Sequence, residues 1–295
     1  MHPAPSIILF TALSGLGFGL LFWLALGVSQ VTGLAAFLWF AFAYLMAVGG
    51  LAASAFHLGN PQRALRAFSQ WRSSWLSREA CLSVAALLVM AGYGAGLVVW
   101  QLPLRALGWP GAALCLATVF ATSMIYGQLK TVPRWNHWTT SALFLALSVA
   151  GGAGFVGHPL LASMLMLAAG MLQIAVWYLG DARFAIRGSS MATATGLGGI
   201  GTVRQFSPPH TGTNYLLREM VFRIGRKHAL RLRVLSVLLM AVVPALLLLL
   251  VPGQAAPVLA MPCHFAGVMA SRWLFFAEAE HVVGLYYGAE PGRVL

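Results

Sequence analysis

Between His57 and Glu79 the chain reads His57-Leu58-Gly59-Asn60-Pro61-Gln62-Arg63-Ala64-Leu65-Arg66, and then Trp71-Arg72-Ser73-Ser74-Trp75-Leu76-Ser77-Arg78-Glu79. Four arginines, a histidine and a carboxylate gather here, in a protein of which only 8% is charged. Long apolar runs lie on both sides, so the stretch sits where a helix leaves a bilayer, turns and re-enters. Polar groups held that close to hydrocarbon are costly and mark function. His57 can give and take a proton near neutral pH. Arg63 stays charged and can only donate hydrogen bonds. With Glu79 opening the next apolar run, the set suits a quinone head group. That chemistry needs donors to two carbonyl oxygens and a proton route to water. A second reading stays open, in which the arginines set membrane orientation and His57 ends a helix.

The elements that position these residues follow from composition. Of 295 residues, 60% are hydrophobic. Apolar runs recur, each long enough to cross about 30 Å of hydrocarbon. They are continuous rather than alternating, which excludes a membrane barrel. The expected fold is all-α, a polytopic integral membrane protein of about eight transmembrane helices in a single membrane domain, 1–295. The spans fall near 5–27, 33–57, 79–101, 110–129, 139–157, 159–180, 232–251 and 258–287. Met1-His2-Pro3-Ala4-Pro5-Ser6 lacks the basic start of a secretory signal, so the first run reads as a retained helix.

Local signals set the details. Asn60-Pro61 reads as an N-cap followed by proline at the first helical position. Ala64, Leu65 and Phe68 then share one side of a short amphipathic helix at the membrane interface. Ser77 reads as the N-cap of the third span, with Glu79 in its first turn. Trp109-Pro110 marks the start of the fourth. Gly188 to Gly201 reads as flexible coil, inside a long polar segment, 181–231. The eighth span contains Arg272, Glu278, Glu280 and His281, and Glu278 and His281 stand at contact spacing on a helix.

Charge gives an orientation. Fifteen of the 18 Lys and Arg residues lie in or beside the loops 58–78, 130–138 and 181–231; the loops on the other side contain Arg105 alone. The positive-inside rule then places both termini and the His57–Glu79 loop in the cytoplasm, in a bacterial inner membrane. The formal net charge of +12 is therefore orientation charge rather than a nucleic-acid signal. It also offers a docking face for an acidic partner, with Arg218, Arg223, Arg226 and Lys227 at its centre.

Metal chemistry finds little support. Cys81, Cys115 and Cys263 fall in apolar runs without a CxxC pair, and an iron–sulfur cluster needs about four thiolates. No span holds two histidines at ligand spacing, so no haem is expected.

The motif residues resemble those of a known family. His57-Leu58-Gly59 with Pro61 and Arg63-Ala64, then Ser77-Arg78-Glu79, are similar to the membrane anchor subunit of dimethyl sulfoxide reductase and its relatives. So are Tyr126 and Thr131-Val132-Pro133-Arg134-Trp135. The resemblance spans most of the chain. It implies a haem-free, quinone-binding anchor that holds an iron–sulfur electron-transfer subunit and a molybdopterin catalytic subunit at the membrane. The quinone, ubiquinone or menaquinone, is bound as substrate. His57, Arg63 and Glu79 take the family's quinone-site roles, with Asn60, Arg66, Tyr126 and Trp135 around them. In the last helix the chain departs, with Gly267-Val268 where the family has Gly-Glu, while Arg272 is retained. Family catalytic subunits face outward, whereas charge here turns the same loops inward. Together with the basic segment from Asn214 to Arg233, this resembles cytoplasm-facing sulfite dehydrogenase anchors, and favours electrons passing from sulfite oxidation to the quinone pool. Quinol oxidation feeding a terminal reductase is the alternative. A small transporter is the alternative of another class, and would need a polar path near the midplane.

Reporter fusions test the orientation. A phosphatase fused at the C-terminus should be inactive, and one fused near Gly33 active; the opposite pattern would invert the assignment.

Overall fold

A computed structural model describes residues 2–56, 60–207, 212, 215–216, 220 and 228–287. His57, Arg218, Arg223, Arg226 and Lys227 lie outside the described residues, and so does the side chain of Pro61. The described residues form helices and no strands. Seven helices are long and apolar enough to cross a membrane: α1 (Pro5–Ala25), α2 (Gly33–Ala55), α3 (Trp75–Trp100), α4 (Arg105–Gly127), α6 (Pro159–Arg187), α8 (Ala229–Leu250) and α9 (Ala255–Ala277). A shorter apolar helix, α5 (Trp138–Ala153), makes the eighth. A five-residue helix, α7 (Met191–Thr195), follows α6. The chain is thus an all-α polytopic membrane protein.

Helix α1 is the hub. It packs on α2, α4, α5 and α9, and 67% of its span is buried against 33% for α2. Lipid tails are as apolar as leucine, so close van der Waals approach, rather than hydrophobicity, must draw such helices together. Glycines permit it. A side chain at Gly17 would strike the backbone of Ala47 on α2, and one at Gly50 would strike the backbone of Ser14. A side chain at Gly152 on α5 would strike the backbone of Gly19. Ser148 Oγ then donates to Gly15 O at 2.5 Å across the same crossing.

Several expected boundaries shift, each for a physical reason. The third helix begins at Trp75, because Ser74, not Ser77, accepts from the backbone N–H of Ser77. Glu79 therefore sits in the second turn. Asn60 makes no side-chain cap; its carbonyl accepts from Arg63 N at 3.0 Å. Helix α4 starts five residues before Pro110, which lies inside it. Proline there gives no N–H to Ala106 O, four residues back, so that helical bond is lost. The expected coil 188–201 contains α7, where Ser190 and Thr193 close a capping box. The last span ends at Ala277. Glu278, Glu280 and His281 thus lie beyond it, in the approach to a 3₁₀ turn, Val282–Tyr287.

Helix α8 is widened by a π turn, Leu238–Val242, which ends two residues before Pro244. Proline has no N–H for the carbonyl four residues back and its ring presses on it. That carbonyl, Met240 O, is taken instead by His264 Nδ1 from α9 at 2.6 Å.

The α1–α5 crossing should be intolerant of bulk. Gly152→Ala is expected to cost about 1–3 kcal/mol through overpacking, read as a lower unfolding midpoint in detergent. An unchanged midpoint would mean that the backbones do not meet there.

Candidate functional site

The site is built where the His57–Glu79 loop returns to the membrane. Residues Pro61–Phe68 form a 3₁₀ helix. Its three-residue repeat puts Leu65 and Phe68 on one side, and both are exposed, as expected of a helix lying in an interface. Arg63 and Arg66 are also exposed. Ser77 fastens this segment to α3: its hydroxyl donates to Ala67 O and accepts from Gln70 N. Arg78 adds bonds to the carbonyls of Trp71 and Arg72, at 3.1 and 2.9 Å, and stacks on Trp75.

Beneath this strap lies Glu79, only 4% exposed. Its Oε1 accepts from Thr122 Oγ1 of α4 at 2.5 Å. A carboxylate in an apolar interior needs such a donor. Tyr126 stands one turn beyond Thr122, within electrostatic reach of both Glu79 and Arg272. Its ring meets Trp135 edge-on, with centroids 5.4 Å apart. Trp135 stacks on Phe275 at 5.0 Å, and its Nε1–H donates to Phe275 O at 2.9 Å. Arg272 lies 2% exposed, its guanidinium 3.5 Å from the centre of the Phe144 ring.

The structure therefore groups Glu79, Tyr126 and Trp135 in one buried neighbourhood. Asn60, Arg63 and Arg66 stay above it on the strap, and neither arginine bonds to Glu79. Sequence reading missed Thr122. Its one signal is its position, one turn before Tyr126, and α4 offers Thr118 and Ser123 as similar hydroxyls.

A second polar assembly closes the same end of the bundle. Arg233 of α8 grips Asp181 of α6 with two bonds, at 2.8 and 2.7 Å, and Glu278 with a third at 2.8 Å. Arg134 reaches Asp181 at 2.6 Å and Glu278 at 3.8 Å. These bonds replace the expected Glu278–His281 contact; His281 Nδ1 accepts instead from Val283 N. Glu278 is taken by two arginines far away in sequence, so local spacing could not show it. The network ties the 128–137 loop, α6 and α8 to the end of α9. His137, at the end of that loop, bonds Thr139 through Nδ1. Burial, and then the nearby Arg183, hold its pKa below the usual histidine range.

No group of three or more His, Cys, Asp or Glu side chains able to hold a metal occurs among the described residues. Cys115 is buried, while Cys81 and Cys263 are half-buried.

Comparison with known proteins bears on all of this. The family model of the DMSO reductase anchor subunit (DmsC) matches residues 1–288. The C component of the sulfite dehydrogenase of Allochromatium vinosum is 33% identical over an alignment of 327 positions, covering 97% of this chain and 99% of that protein. No solved structure matches.

The Glu79–Thr122 bond gives a direct test. Thr122→Val leaves a buried carboxyl without its donor and should cost about 1–3 kcal/mol, seen as a lower thermal midpoint. Thr122→Ser should restore it. Equal midpoints for all three proteins would remove Thr122 from the site.

Proposed function

The chain belongs to the DMSO reductase anchor subunit family, and from that premise we propose that it passes electrons between a partner iron–sulfur subunit and the quinone pool. As an anchor subunit it serves an oxidoreductase complex without holding the catalytic centre. The observation that supports the quinone reading best is the buried Glu79, hydrogen-bonded to Thr122 beneath a strap that bears Arg63 and Arg66. A quinone head arriving from the lipid meets the exposed apolar side chains of the strap first, and its arginines next. Arg63 supplies a fixed donor to a carbonyl oxygen. His57, four residues before Pro61 in the sequence, exchanges protons with the head group, and Glu79 passes them toward water. Asn60, Arg66, Tyr126 and Trp135 complete the surroundings.

Electrons come from an iron–sulfur cluster of the partner, which in turn draws on a molybdopterin subunit. The basic segment 181–231, through Arg218, Arg223, Arg226 and Lys227, docks that partner on the cytoplasmic face, where both termini also lie. Similarity to a sulfite dehydrogenase subunit along the whole chain favours sulfite oxidation with quinone reduction. The reverse flow, with quinol feeding a terminal reductase, uses the same site.

The test uses membranes that contain the assembled complex. His57→Gln and Glu79→Gln should leave assembly intact and reduce quinone-coupled turnover about ten- to hundredfold, the loss of one charge-assisted hydrogen bond of roughly 1.5–3 kcal/mol. A soluble dye that takes electrons directly from the catalytic subunit should react at the wild-type rate. Wild-type quinone turnover in both variants would move the site elsewhere. Membranes that reduce dimethyl sulfoxide with quinol, yet fail to oxidise sulfite, would select the reverse flow.

A further inference from the structure

A cavity lies inside the bundle, between α1, α4, α5 and α9. Its lining includes Ser14, Thr122, Phe144, Ser148, His264 and Arg272. Its volume is about 20 Å³. A cavity of roughly 10–15 Å³ on this measure admits a water molecule, so this one is too small for an organic ligand and large enough for water.

The polar atoms around it have a definite sense. His264 is 1% exposed. Its Nδ1 faces Met240 O at 2.6 Å. A carbonyl only accepts, so Nδ1 carries the proton and Nε2 of the neutral ring presents a lone pair. Among the described residues Nε2 has no hydrogen-bond partner. Arg272 Nε and Nη1 are likewise buried without partners among those residues, and both are donors only. The hydroxyls of Ser14, Thr122 and Ser148 already give their protons within the protein, to Phe10 O, to Glu79 with Thr118 O, and to Gly15 O. Their oxygens keep lone pairs. Donors without acceptors and an acceptor without a donor thus belong to two residues that line one small space, at membrane depth, where each unmet group costs free energy.

We propose that this cavity is a water-binding site, in which bound water accepts from Arg272 and donates to the Nε2 of His264. Water has both senses; an anion such as chloride only accepts and would leave Nε2 unmet. The volume holds one water, or two at most. His264 and Arg272 are eight residues apart on α9, about 12 Å along the helix axis. The water hydrates an arginine that has no carboxylate bonded to it among the described residues, the Phe144 ring covering its other face. It also touches Thr122, and so stands one hydroxyl from Glu79. The site holds whether or not a quinone binds above it.

Radiolytic hydroxyl-radical footprinting of the full chain in native membranes reads bound internal water directly, because radicals form where the water sits. Phe144 and His264 should oxidise several-fold faster than Phe40 and Phe276, which are as buried but do not line the cavity. His264→Phe should bring Phe144 down to the control rate, while His264→Gln, which keeps an acceptor, should preserve it. Rates for Phe144 and His264 equal to the controls in the wild type would overturn the proposal without any variant. A Phe144 rate that changes when chloride is replaced by gluconate would overturn it in favour of an anion.

Discussion

Close backbone approach around α1 is the constraint on which the rest depends. In a bilayer, burying one apolar helix against another gains little over leaving it in lipid. What holds these helices is contact at distances only glycine permits, at Gly17, Gly19, Gly50 and Gly152, reinforced by hydroxyl-to-carbonyl bonds such as Ser148 to Gly15. Once α2, α4, α5 and α9 are drawn onto α1, the polar side chains of α4 and α9 have no lipid to face. They turn inward and must be satisfied there.

Two devices satisfy them. Near the end of the bundle that bears the charged loops, charges meet charges: Arg134, Arg233, Asp181 and Glu278 share their bonds across four segments. Deeper in, single polar groups are matched one by one. Glu79 takes the Thr122 hydroxyl, Ser271 Oγ donates to Gln173 Oε1 at 2.5 Å, and His264 takes the carbonyl that Pro244 leaves unused. The last pairing shows a local backbone defect in α8 fixing the tautomer of a side chain on α9. Arg272 is the exception, with an aromatic ring on one face and a small cavity that it helps to line.

The candidate quinone site uses the second device, Glu79 paired with one hydroxyl. The strap is attached through Ser77, two residues from Glu79, so the surface arginines and the buried carboxylate are coupled through one short turn of α3. Tyr126 comes to the same place from the last turn of α4, and Trp135 from the loop after it. Their mutual packing with Phe275 and Phe276 joins the end of α9 to that loop and sets the floor on which Tyr126 rests.

By itself the sequence determined the helical membrane fold, because twenty-residue apolar runs have no other stable form in a bilayer. It also singled out the polar loop, because charge is so rare elsewhere in the chain. It misplaced Ser77 as a cap, since Ser74 and Ser77 are chemically alike and only the backbone angles distinguish them. It paired Glu278 with His281, since helix spacing is visible in a sequence and a salt bridge to Arg134 or Arg233 is not. Thr122 as the partner of Glu79, His264 as the partner of Met240, and the cavity beside Arg272 were decided by tertiary structure alone. Each depends on which faces of α3 and α4, of α8 and α9, and of α1 and its neighbours meet, and that is settled by side-chain volume at the crossings, which no spacing along a single helix records.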